Sequence, residues 1–588
     1  MGKNIIVLGA GYGGIEAAKT LNRLLKNNHD VTITLINNNP YHVLLSGIHE
    51  VAGNRIDGDS VQISLDELFA SSRVNVIEDY ISEINFTGKT LRSENYEYKY
   101  DYLLLATGSK ASDCGVKGTS ENAFTLWSLE DAKKINKHIQ KCFQEARLAK
   151  DAENRKELLS FAVCGGGFTG VEMVGELLEW INDLCSQYEI PQEEVRLYLV
   201  EGLEQILPNI DKRLAEKASN YLLKRGVNLK TGSFVQEVKE NGLILDNGEE
   251  IACRTVIWNC GVSASDIASS LELESKRNGR IKVNEYLQTL DYPEVYAIGD
   301  NAAIPWNNKK ILPALVEAAL QTGKTAAVNI AADINGKAKV KISPKLHGIM
   351  VSIGGRYGVA DLMGISLKGW PALFMKHMVN IHYLLGIGGL KNGVKYSLDY
   401  MEKQGKGKGA TARILGHISQ RGYSIFFAIL RIFLGIQWLQ SGLDKVNSGW
   451  LAYGDKLVAG ASTSPIGPNP VGWYVDFMEA VVFPHAFLFQ WMVTMGELAL
   501  GIALLLGILT PLAALGSTFM TINFFLSGFY PAHDSLPWWL FSSISLIGSG
   551  RALSVDYYLL PWLKKTFWGR KKGKNEDLNK VVKPIEKA

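Results

Sequence analysis

The sequence predicts an α/β protein with two Rossmann-like dinucleotide-binding domains, followed by a C-terminal α-helical bundle of four transmembrane helices. Two glycine-rich turns, at residues 9–14 and 165–170, each follow a short apolar strand and precede a segment of helical periodicity. This is the pattern of a βαβ nucleotide-binding unit. Between residues 424 and 550 only nine of 127 side chains are charged, as is typical of membrane-spanning helices.

Length and composition exclude several classes of protein. A chain of 588 residues predicts several domains, and an apolar content of 47% excludes disorder for most of its length. The net charge of +3 creates no general attraction for nucleic acid. The six cysteines form neither a CxxC pair nor a zinc-ligand spacing, so we expect no disulfide scaffold and no metal. The same cysteine pattern predicts that the protein lies in a reducing compartment.

The first unit consists of a strand over residues 5–8, the glycine turn and a helix over residues 15–25. In such a turn the first glycine allows the tight bend, the second lets the backbone approach a pyrophosphate, and the third lets the helix pack on the strand. Asn37 follows the next strand, where its amide can hydrogen-bond ribose hydroxyls; the alternative is an ordinary surface-turn residue. The expected binding residues are Gly9, Gly11, Gly14 and Asn37.

The second unit repeats this order, with a strand over residues 161–164, a helix over residues 171–184 and a strand that ends at Glu201. A carboxylate at that position accepts hydrogen bonds from ribose hydroxyls and repels a 2′-phosphate, so this site should prefer NADH to NADPH. The expected binding residues are Gly165, Gly167, Gly170 and Glu201.

Further short motifs make the likeness to one family specific. These are NPYH at 39–42, ATGS at 106–109, VE at 200–201, WNCGV at 258–262 and AIGD at 297–300. Together with GAGYGG at 9–14 and GGGFTGVE at 165–172, they make residues 1–400 resemble the type II NADH:quinone oxidoreductases. The resemblance implies FAD at the first turn, held at its ribityl chain by Asp300, and NADH at the second turn.

The resemblance also implies roles for residues outside the glycine turns. Glu172 matches a carboxylate near nicotinamide and flavin, although a glutamate there can equally complement the helix dipole. Glu317 and Gln321 stand where the family usually has two glutamines beside the quinone; a salt bridge to a neighbouring Lys or Arg is the alternative for Glu317. The other implied residues are Ser46, Gly47, Ala106, Thr107 and Gly108 for FAD and Gly261 for NADH.

The same architecture also serves disulfide reductases and sulfide oxidisers, which need a redox cysteine pair beside the flavin. Cys253 and Cys260 are the closest pair in the sequence, and we interpret both as structural. Electrons are therefore expected to pass from the flavin to a diffusible acceptor. The membrane segments make quinone the natural one.

Membrane attachment is expected in two places. The resemblance implies an amphipathic membrane-binding segment within residues 347–390, where an ordinary packing helix is the alternative. Its expected contact residues are Trp370, Phe374, Met375, Met378 and Tyr383 among basic Lys368 and Lys376. Four spans are predicted at 424–440, 487–506, 511–529 and 538–549.

Residues 424–560 resemble the DoxX-like four-helix membrane family. The matching residues are Arg431, Lys445, Glu497, Arg551 and Asp556. Ionisable groups within apolar spans usually face a bundle interior or a polar site. Arg431 and Glu497 are therefore either a structural ion pair or part of a site for a quinone headgroup or another redox partner.

The predicted division of the chain assigns residues 1–340 to the FAD and NADH domains, with the NADH part at about 155–270. The remaining parts are the membrane-associating segment 341–402, a basic glycine-rich linker 403–423, the transmembrane domain 424–560 and a basic tail 561–588. Basic residues flank an even number of spans, which predicts a multi-pass cell-membrane protein with the flavoprotein domain and both termini in the cytoplasm.

The function implied is a membrane-bound NADH:quinone oxidoreductase that uses FAD and pumps no protons. Its expected partners are a menaquinone-type quinone, the lipid bilayer and a second copy of the chain, with no nucleic acid. Two alternatives remain open. One is reduction of oxygen or a soluble carrier; the other is a membrane transport or assembly module regulated by an NADH-sensing flavin domain.

Overall fold

The computed structural model describes residues 2–276, 278–306, 310–404, 424–452, 456–457, 466–529, 535–546, 554–556, 559, 562–563 and 582–584. The chain divides into two compact units, Met1–Ser419 with Lys571–Ala588 and Gln420–Arg570. Nearly all of the predicted linker, and Arg551 of the DoxX-like motif, lie outside the described residues.

The first unit begins with a five-stranded parallel sheet that carries the first glycine turn. In sheet order its strands are Val295–Ala297, Tyr102–Leu105, Lys3–Leu8, Val31–Asn37 and Val74–Glu78. The central strand is covered on both faces, so Ile5, Ile6 and Val7 are fully buried. This explains the continuous apolar run that predicts the strand.

A second five-stranded parallel sheet carries the second glycine turn. In sheet order its strands are Phe124–Thr125, Thr255–Trp258, Ser160–Cys164, Arg196–Val200 and Asn228–Lys230. Both sheets place the glycine turn after a central strand, which confirms the prediction of two Rossmann-like domains.

The two glycine turns have the same local geometry. Gly9 has a φ of 104° and Gly165 a φ of 101°, a region that L side chains rarely adopt. A Cβ on Gly14 would lie 1.9 Å from the carbonyl oxygen of Gly9, and a Cβ on Gly170 would lie 1.9 Å from that of Gly165. Only glycine fits at these positions, so each helix packs directly on its turn.

The helix Tyr12–Leu24 after the first turn crosses the helix Val316–Ile334 at a contact between glycines. A Cβ on Gly323 would lie 2.3 Å from the carbonyl oxygen of Gly13. This close approach brings the N-terminal part of Val316–Ile334, which carries Glu317 and Gln321, to the neighbourhood of the first glycine turn.

Two short antiparallel strands join the two domains. Ser109–Ala111 pairs with Val262–Ala264, and all strands of the second sheet lie between them in sequence. The chain therefore enters the second domain along one of these strands and returns along the other.

The predicted membrane-associating segment contains a sheet as well as a helix. Strands Gly348–Ile353, Tyr357–Leu362 and Ile365–Lys368 form an antiparallel sheet, which precedes the helix Trp370–Gln404. Gly389, with a φ of 68°, interrupts this helix.

The other helices of this unit are Ile48–Ala52, Leu65–Phe69, Thr119–Asn122, Leu129–Leu148, Ala152–Leu158, Phe168–Tyr188, Lys212–Lys224 and Asp266–Ser270, with 3-10 turns Leu45–Gly47, Gly58–Val61, Gln192–Glu194 and Gly299–Asn301. Its other strands are Tyr41–Val43, Gln62–Ser64, Glu83–Asn85, Thr90–Arg92, Tyr96–Lys99, Val235–Lys239, Gly242–Leu245, Glu250–Ala252, Ile281–Lys282, Ala302–Ala303, Pro305–Trp306 and Lys310–Ile311. The tail contributes one further strand, since Val582–Pro584 pairs antiparallel with Tyr96–Lys99.

The second unit is helical. Its helices are Ser424–Asn447, Gly472–Phe477, Ala486–Leu506, Thr510–Leu526 and Leu536–Leu546, with a π-helical turn Met478–Val482 and a 3-10 turn Phe483–His485 before the third of them. Helices Ser424–Asn447 and Ala486–Leu506 approach closely at glycines: a Cβ on Gly435 would lie 2.7 Å from the backbone nitrogen of Leu505. Small residues at such contacts are typical of membrane helices.

Helices occupy all four predicted spans, but their lengths support the predicted count only in part. Among the described residues, Phe426–Asn447 and Gly472–Leu506 are long and apolar enough to cross a membrane, and Thr510–Leu526 is a shorter apolar helix. Leu536–Leu546 has 11 residues. The second span also begins earlier than predicted, because the turns at residues 478–485 continue into the helix that follows.

Candidate active site

A cavity of about 570 Å³ lies at the first glycine turn and collects most of the residues predicted to bind FAD. The predicted residues that line it are Gly9, Gly11, Asn37, Ser46, Ala106, Thr107, Gly108, Glu172 and Asp300. Gly14 lies beneath the turn, in contact with Gly9. Gly47 is buried and faces Val61, since an added Cβ would lie 3.1 Å from Val61 Cγ1.

The residue at the end of each second strand holds the glycine turn beside it. Asn37 Oδ1 accepts a hydrogen bond of 2.8 Å from the backbone of Ala10. Glu201 Oε2 accepts one of 2.6 Å from the backbone of Gly166, and its Oε1 accepts one of 2.8 Å from Leu203. Each side chain therefore lies at its own glycine turn; ribose binding by both remains a prediction.

Asp300 also lines the cavity and lies in the 3-10 turn Gly299–Asn301. Its carboxylate accepts a hydrogen bond of 2.6 Å from the hydroxyl of Ser109. Burial raises the pKa of Asp300, and this hydrogen bond opposes the rise.

The residues present fit FAD. A Cβ on Gly11 would meet no atom within 4 Å, so the backbone at the N-terminus of helix Tyr12–Leu24 is open to the cavity, where a pyrophosphate is favoured. The lining also includes the polar side chains of Asn37, Asp300 and Glu172.

Glu172 belongs to a buried polar cluster built from four separate helices and strands. Its Oε1 accepts a hydrogen bond of 2.7 Å from Lys376 Nζ and one of 3.1 Å from Ser352 Oγ. Its Oε2 lies 3.5 Å from His49 Nδ1. Lys376 Nζ also lies 2.6 Å from Ser352 Oγ and 3.2 Å from His49 Nε2.

Electrostatics keep Glu172 ionised. Burial alone would raise the pKa of its carboxyl, but the charge of Lys376 and the hydrogen bonds from Lys376 and the backbone of Ser352 lower it below its usual value. Burial lowers the pKa of His49 to about 3, so His49 is neutral and Lys376 is the cation that pairs with Glu172. Because Glu172 and His49 both line the cavity, a fixed negative charge borders it.

The sequence prediction for Lys376 was wrong. We expected a basic residue at a membrane surface, but Lys376 is 6% exposed and points into the protein. The helical spacing of apolar residues could have predicted this burial. Ala372, Leu373 and Leu384 share the buried face of Lys376. The exposed side chains of the same helix are Trp370, Phe374, Met378 and Leu385. Tyr383, also expected at the membrane, lies beside Tyr12. Its hydroxyl forms a hydrogen bond of 3.0 Å with His42 Nε2.

Glu317 and Gln321 share one helix face, as their spacing predicts, but neither lines the cavity; Val316 and Ala319 do. Gln321 makes two hydrogen bonds with the backbone of Lys345, at 2.6 and 2.9 Å. Glu317 accepts a hydrogen bond of 3.0 Å from the backbone of His347 and also contacts its Nδ1. The partner of Glu317 is thus a histidine, where the sequence alternative names a Lys or Arg.

The second turn also has the geometry of a dinucleotide site. A Cβ on Gly167 would meet no atom within 4 Å, so open space lies beside this glycine. An added Cβ on Gly261 would lie 2.9 Å from Cys114 Sγ. Thr169, which directly precedes the third glycine of this turn, lines the large cavity together with Glu172.

All six cysteines are free thiols. Cys253 is buried, whereas Cys260 and Cys114 are exposed. No group of three or more His, Cys, Asp and Glu side chains suited to a metal ion occurs in the part of the chain that the structure describes.

In the second unit Arg431 and Glu497 are not partners. Glu497, fully buried, accepts hydrogen bonds of 2.8 Å from Lys445 at both carboxylate oxygens and one of 3.0 Å from Ser441. Arg431 instead donates to the backbone oxygens of Leu504 and Leu505 at the end of their helix. The Arg431–Glu497 pair considered from the sequence is therefore wrong.

Asp556 of the same predicted motif caps a helix. Its two carboxylate oxygens each accept a hydrogen bond of 2.7 Å, from the backbone of Leu509 and of Thr510. A carboxylate at this helix N-terminus offsets the helix dipole.

Comparison with protein families gives two matches. The family described as pyridine nucleotide-disulphide oxidoreductase matches residues 3–323. The family described as DoxX matches residues 426–528.

Curated relatives match the first unit over nearly their whole length. The type II NADH:quinone oxidoreductase of Staphylococcus haemolyticus (strain JCSC1435) is 30% identical over 392 residues, which are 66% of this chain and 96% of that protein. The enzyme of the same name from Staphylococcus aureus (strain NCTC 8325 / PS 47) is 29% identical with the same coverage.

Two solved structures share the fold. NDH2 from Plasmodium falciparum in complex with NADH has a TM-score of 0.62 at 19% identity, over 70% of this chain and 99% of that one. The sulfide:quinone oxidoreductase from Aquifex aeolicus has a TM-score of 0.55 at 19% identity, over 66% of this chain and 92% of that one. At this identity both likenesses concern the fold alone.

Proposed function

Because the chain belongs to the pyridine nucleotide-disulphide oxidoreductases and, within them, to the type II NADH:quinone oxidoreductases, we propose that it passes electrons from NADH to a membrane quinone without pumping protons. As a member of this family it is an NADH-dependent flavin oxidoreductase that uses FAD. The membrane location of the quinone and the absence of pumping are the proposed parts.

The observation that carries the proposal is that both dinucleotide domains contribute to one cavity. Gly9 and Gly11 of the first domain and Thr169 and Glu172 of the second line it together. A nicotinamide bound at the second turn can therefore meet a flavin bound at the first. FAD, when bound, supplies the two-electron chemistry that links a hydride donor to a quinone.

We assign the protein's part of the chemistry at the NADH side to Glu172 and Lys376. Their ion pair is buried, with side-chain exposures of 12% and 7%, so its electrostatic effect is weakly screened. The fixed charges orient the polar carboxamide of a nicotinamide and hold a proton donor, Lys376, beside the cavity. His49 and Ser352 keep Lys376 in position through their hydrogen bonds.

We assign the quinone side to Glu317, Gln321 and His347. Val316 and Ala319, on the same helix as Glu317, line the cavity, so this helix separates the flavin site from the segment at residues 345–347. The Glu317–His347 contact places an acid and a base together on a half-exposed surface, with exposures of 30% and 64%. Such a pair can deliver a proton to a quinone as it is reduced.

Two surfaces support a membrane quinone. In the first unit an apolar face projects from the sheet and helix at residues 363–385, which suits the surface of a bilayer. Its exposed members are Met363, Ile365, Trp370, Phe374, Met378, Val379 and Leu385. In the second unit the polar groups are inside and the apolar ones outside, since Arg431 and Glu497 are buried while Phe426, Ile429 and Phe433 are more than half exposed.

The topology that we propose is multi-pass, with both termini in the cytoplasm. The strand Val582–Pro584 pairs with Tyr96–Lys99 of the first unit, so the C-terminal tail lies on the same side of the membrane as the flavoprotein. An even number of membrane spans returns the chain to the side on which it starts, as this placement of the tail requires. We also propose that the protein is a homodimer.

The test is NADH oxidation by the purified full-length protein in lipid nanodiscs, without oxygen. We expect fast oxidation when a menaquinone analogue is added, slower oxidation with a ubiquinone analogue, and almost none without quinone. In separate runs without quinone, equally fast oxidation after oxygen or a soluble carrier is added would contradict the proposal. In proteoliposomes, quinone-dependent turnover should leave the internal pH unchanged apart from the protons of the quinone reaction; net proton uptake or release beyond these would show pumping.

A further inference from the structure

Two cysteines that are far apart in sequence meet at the surface of the second dinucleotide domain. Cys114 Sγ lies 3.5 Å from the backbone oxygen of Cys260, at a sequence separation of 146 residues. Both are exposed free thiols, while the other four cysteines are buried. A disulfide requires Cα atoms roughly 4.4–6.8 Å apart, and a sulfur this close to the partner's backbone is compatible with that range.

The pair lies at the connection between the two dinucleotide domains. Strands Ser109–Ala111 and Val262–Ala264 form this connection, and the hydrogen bond of 3.0 Å from Ser112 N to Gly261 O continues it. Cys114 and Cys260 lie next to this connection, on its second-domain side. A covalent bond between them would tie together the two segments by which the chain enters and leaves that domain.

The same backbone supports the second glycine turn. Asn259 N donates a hydrogen bond of 2.8 Å to Cys164 O, directly before the turn. A Cβ on Gly165 would lie 2.5 Å from Asn259 O and 3.1 Å from Cys260 N. The peptide between Asn259 and Cys260 therefore borders the second glycine turn, so a bond formed at Cys260 would act directly beside this turn.

We propose that Cys114 and Cys260 are a redox-modification site, which a peroxide converts to a disulfide that weakens NADH binding. Hydrogen peroxide oxidises the Cys114 sulfur to a sulfenic acid as the O–O bond breaks, and the departing oxygen leaves as water with the thiol proton. The Cys260 sulfur then attacks that sulfur, so the S–S bond forms and water leaves with the thiol proton. In sum two thiols lose two electrons and two protons, and one peroxide becomes two waters.

The surroundings assign the order of these steps. Although the residue as a whole is exposed, burial of its thiol raises the pKa of Cys260 to about 12, with a smaller contribution from Cys114. Cys260 therefore stays protonated near neutral pH. Cys114, on an exposed turn with a φ of 54°, is the sulfur that peroxide reaches first.

The test treats the full-length protein with hydrogen peroxide, blocks the remaining thiols with a maleimide and maps the peptides. We expect a linked Cys114–Cys260 peptide pair that is lighter by about two hydrogen atoms and is separated again by dithiothreitol. In parallel, the KM for NADH should rise several-fold after peroxide and recover with dithiothreitol. This activity readout rests on the proposed function, whereas the peptide map does not.

Three variants make the test specific. Cys114→Ser should keep the basal activity and lose the response to peroxide, and Cys260→Ser should lose the linked peptide. Cys253→Ala, which removes the nearest cysteine in sequence, should still form the link. The inference is overturned if both thiols stay reduced, if they appear as separate sulfinic acids, or if the link forms and the KM is unchanged. A reduced protein whose flavin is not reduced by NADH would instead contradict the proposed function.

Discussion

Lys376 donates a hydrogen bond of 2.7 Å to the carboxylate of Glu172, although 204 residues separate them in the sequence. The first belongs to the C-terminal helix and the second to the helix after the second glycine turn. This ion pair therefore joins the segment with the exposed apolar face to the second dinucleotide domain, and Glu172 of the pair lines the cavity at the first glycine turn.

Breaking this ion pair should destabilise the protein and slow flavin reduction. Glu172→Gln leaves the charge of Lys376 buried without a counterion, and Lys376→Met does the same to Glu172, so each should lower the free energy of unfolding by about 3 kcal/mol. The double variant should recover part of this loss. Urea unfolding measures stability, and stopped-flow absorbance measures flavin reduction by NADH. Lys368→Met, at an exposed lysine, is the control; additive effects of the two single changes would contradict direct pairing.

Acid should weaken the first domain through His42. Burial lowers the pKa of His42 to about 4, and a backbone hydrogen bond to Ala10 only partly opposes this. Because the unfolded chain takes up a proton near pH 6.5 and the folded one does not, stability should fall as the pH falls from about 6.5 to 4, by about 3 kcal/mol in total.

The measurement for His42 is the urea midpoint and the retention of FAD across this pH range. His42→Gln should make the pH slope shallower, since the residue that titrates only in the unfolded state is removed. His29→Gln, at an exposed histidine, should leave the slope as it is. An unchanged slope in His42→Gln would show that other groups cause the acid sensitivity.

Glu201 should set the preference for NADH. Glu201→Gln keeps an acceptor for the backbone of Gly166 but removes the negative charge that repels a 2′-phosphate. We expect the ratio of kcat/KM for NADH over NADPH to fall about tenfold, which corresponds to about 1.4 kcal/mol. Asn37→Ala, at the matching position of the first turn, should change FAD retention and leave this ratio alone. Equal kcat/KM values for the two nucleotides in the wild-type protein would contradict the assignment.

Glu317 should act in the quinone half-reaction. Glu317→Gln keeps a side chain of similar size but removes the acid, so reoxidation of the flavin by quinone should slow several-fold while its reduction by NADH stays nearly unchanged. Stopped-flow experiments on the separate half-reactions measure this. Glu285→Gln removes a carboxylate that is 49% exposed and paired with Lys341, and it serves as the control. Slower reduction with normal reoxidation would place Glu317 on the NADH side.

Membrane attachment should depend mainly on the second unit. Hydrocarbon insertion is not screened by salt, so the full chain should stay in the membrane through high-salt and alkaline washing. Deletion of residues 410–588 should leave a flavin-loaded NADH oxidoreductase that binds liposomes weakly. In that shortened protein, Trp370→Ser with Phe374→Ser should abolish the remaining binding, because both side chains belong to the exposed apolar face. A shortened protein without NADH activity toward any acceptor would show that the two units form one catalytic unit.

The sequence by itself determined the two dinucleotide units and much of the flavin cavity. Strand, glycine turn and helix are adjacent in the chain, and steric limits at Gly9 and Gly14 act within six residues, so a local pattern is enough to specify them. Asn37 and Asp300 could be predicted for the same reason, because Asn37 ends a strand of the parallel sheet, Asp300 lies in the turn that follows another, and such ends meet at one edge. The apolar spans also follow from composition alone.

Only the tertiary structure decided which polar groups meet. Helical periodicity assigns Lys376 to a buried face but does not identify Glu172 as its partner, and apolar spans reveal that Arg431 and Glu497 are buried without revealing that Glu497 pairs with Lys445. Cys253 is the neighbour of Cys260 in sequence, yet Cys114 is its neighbour in space. A buried charge or thiol contacts whatever the packing of distant segments brings to it, and that packing depends on the whole fold rather than on spacing along the chain.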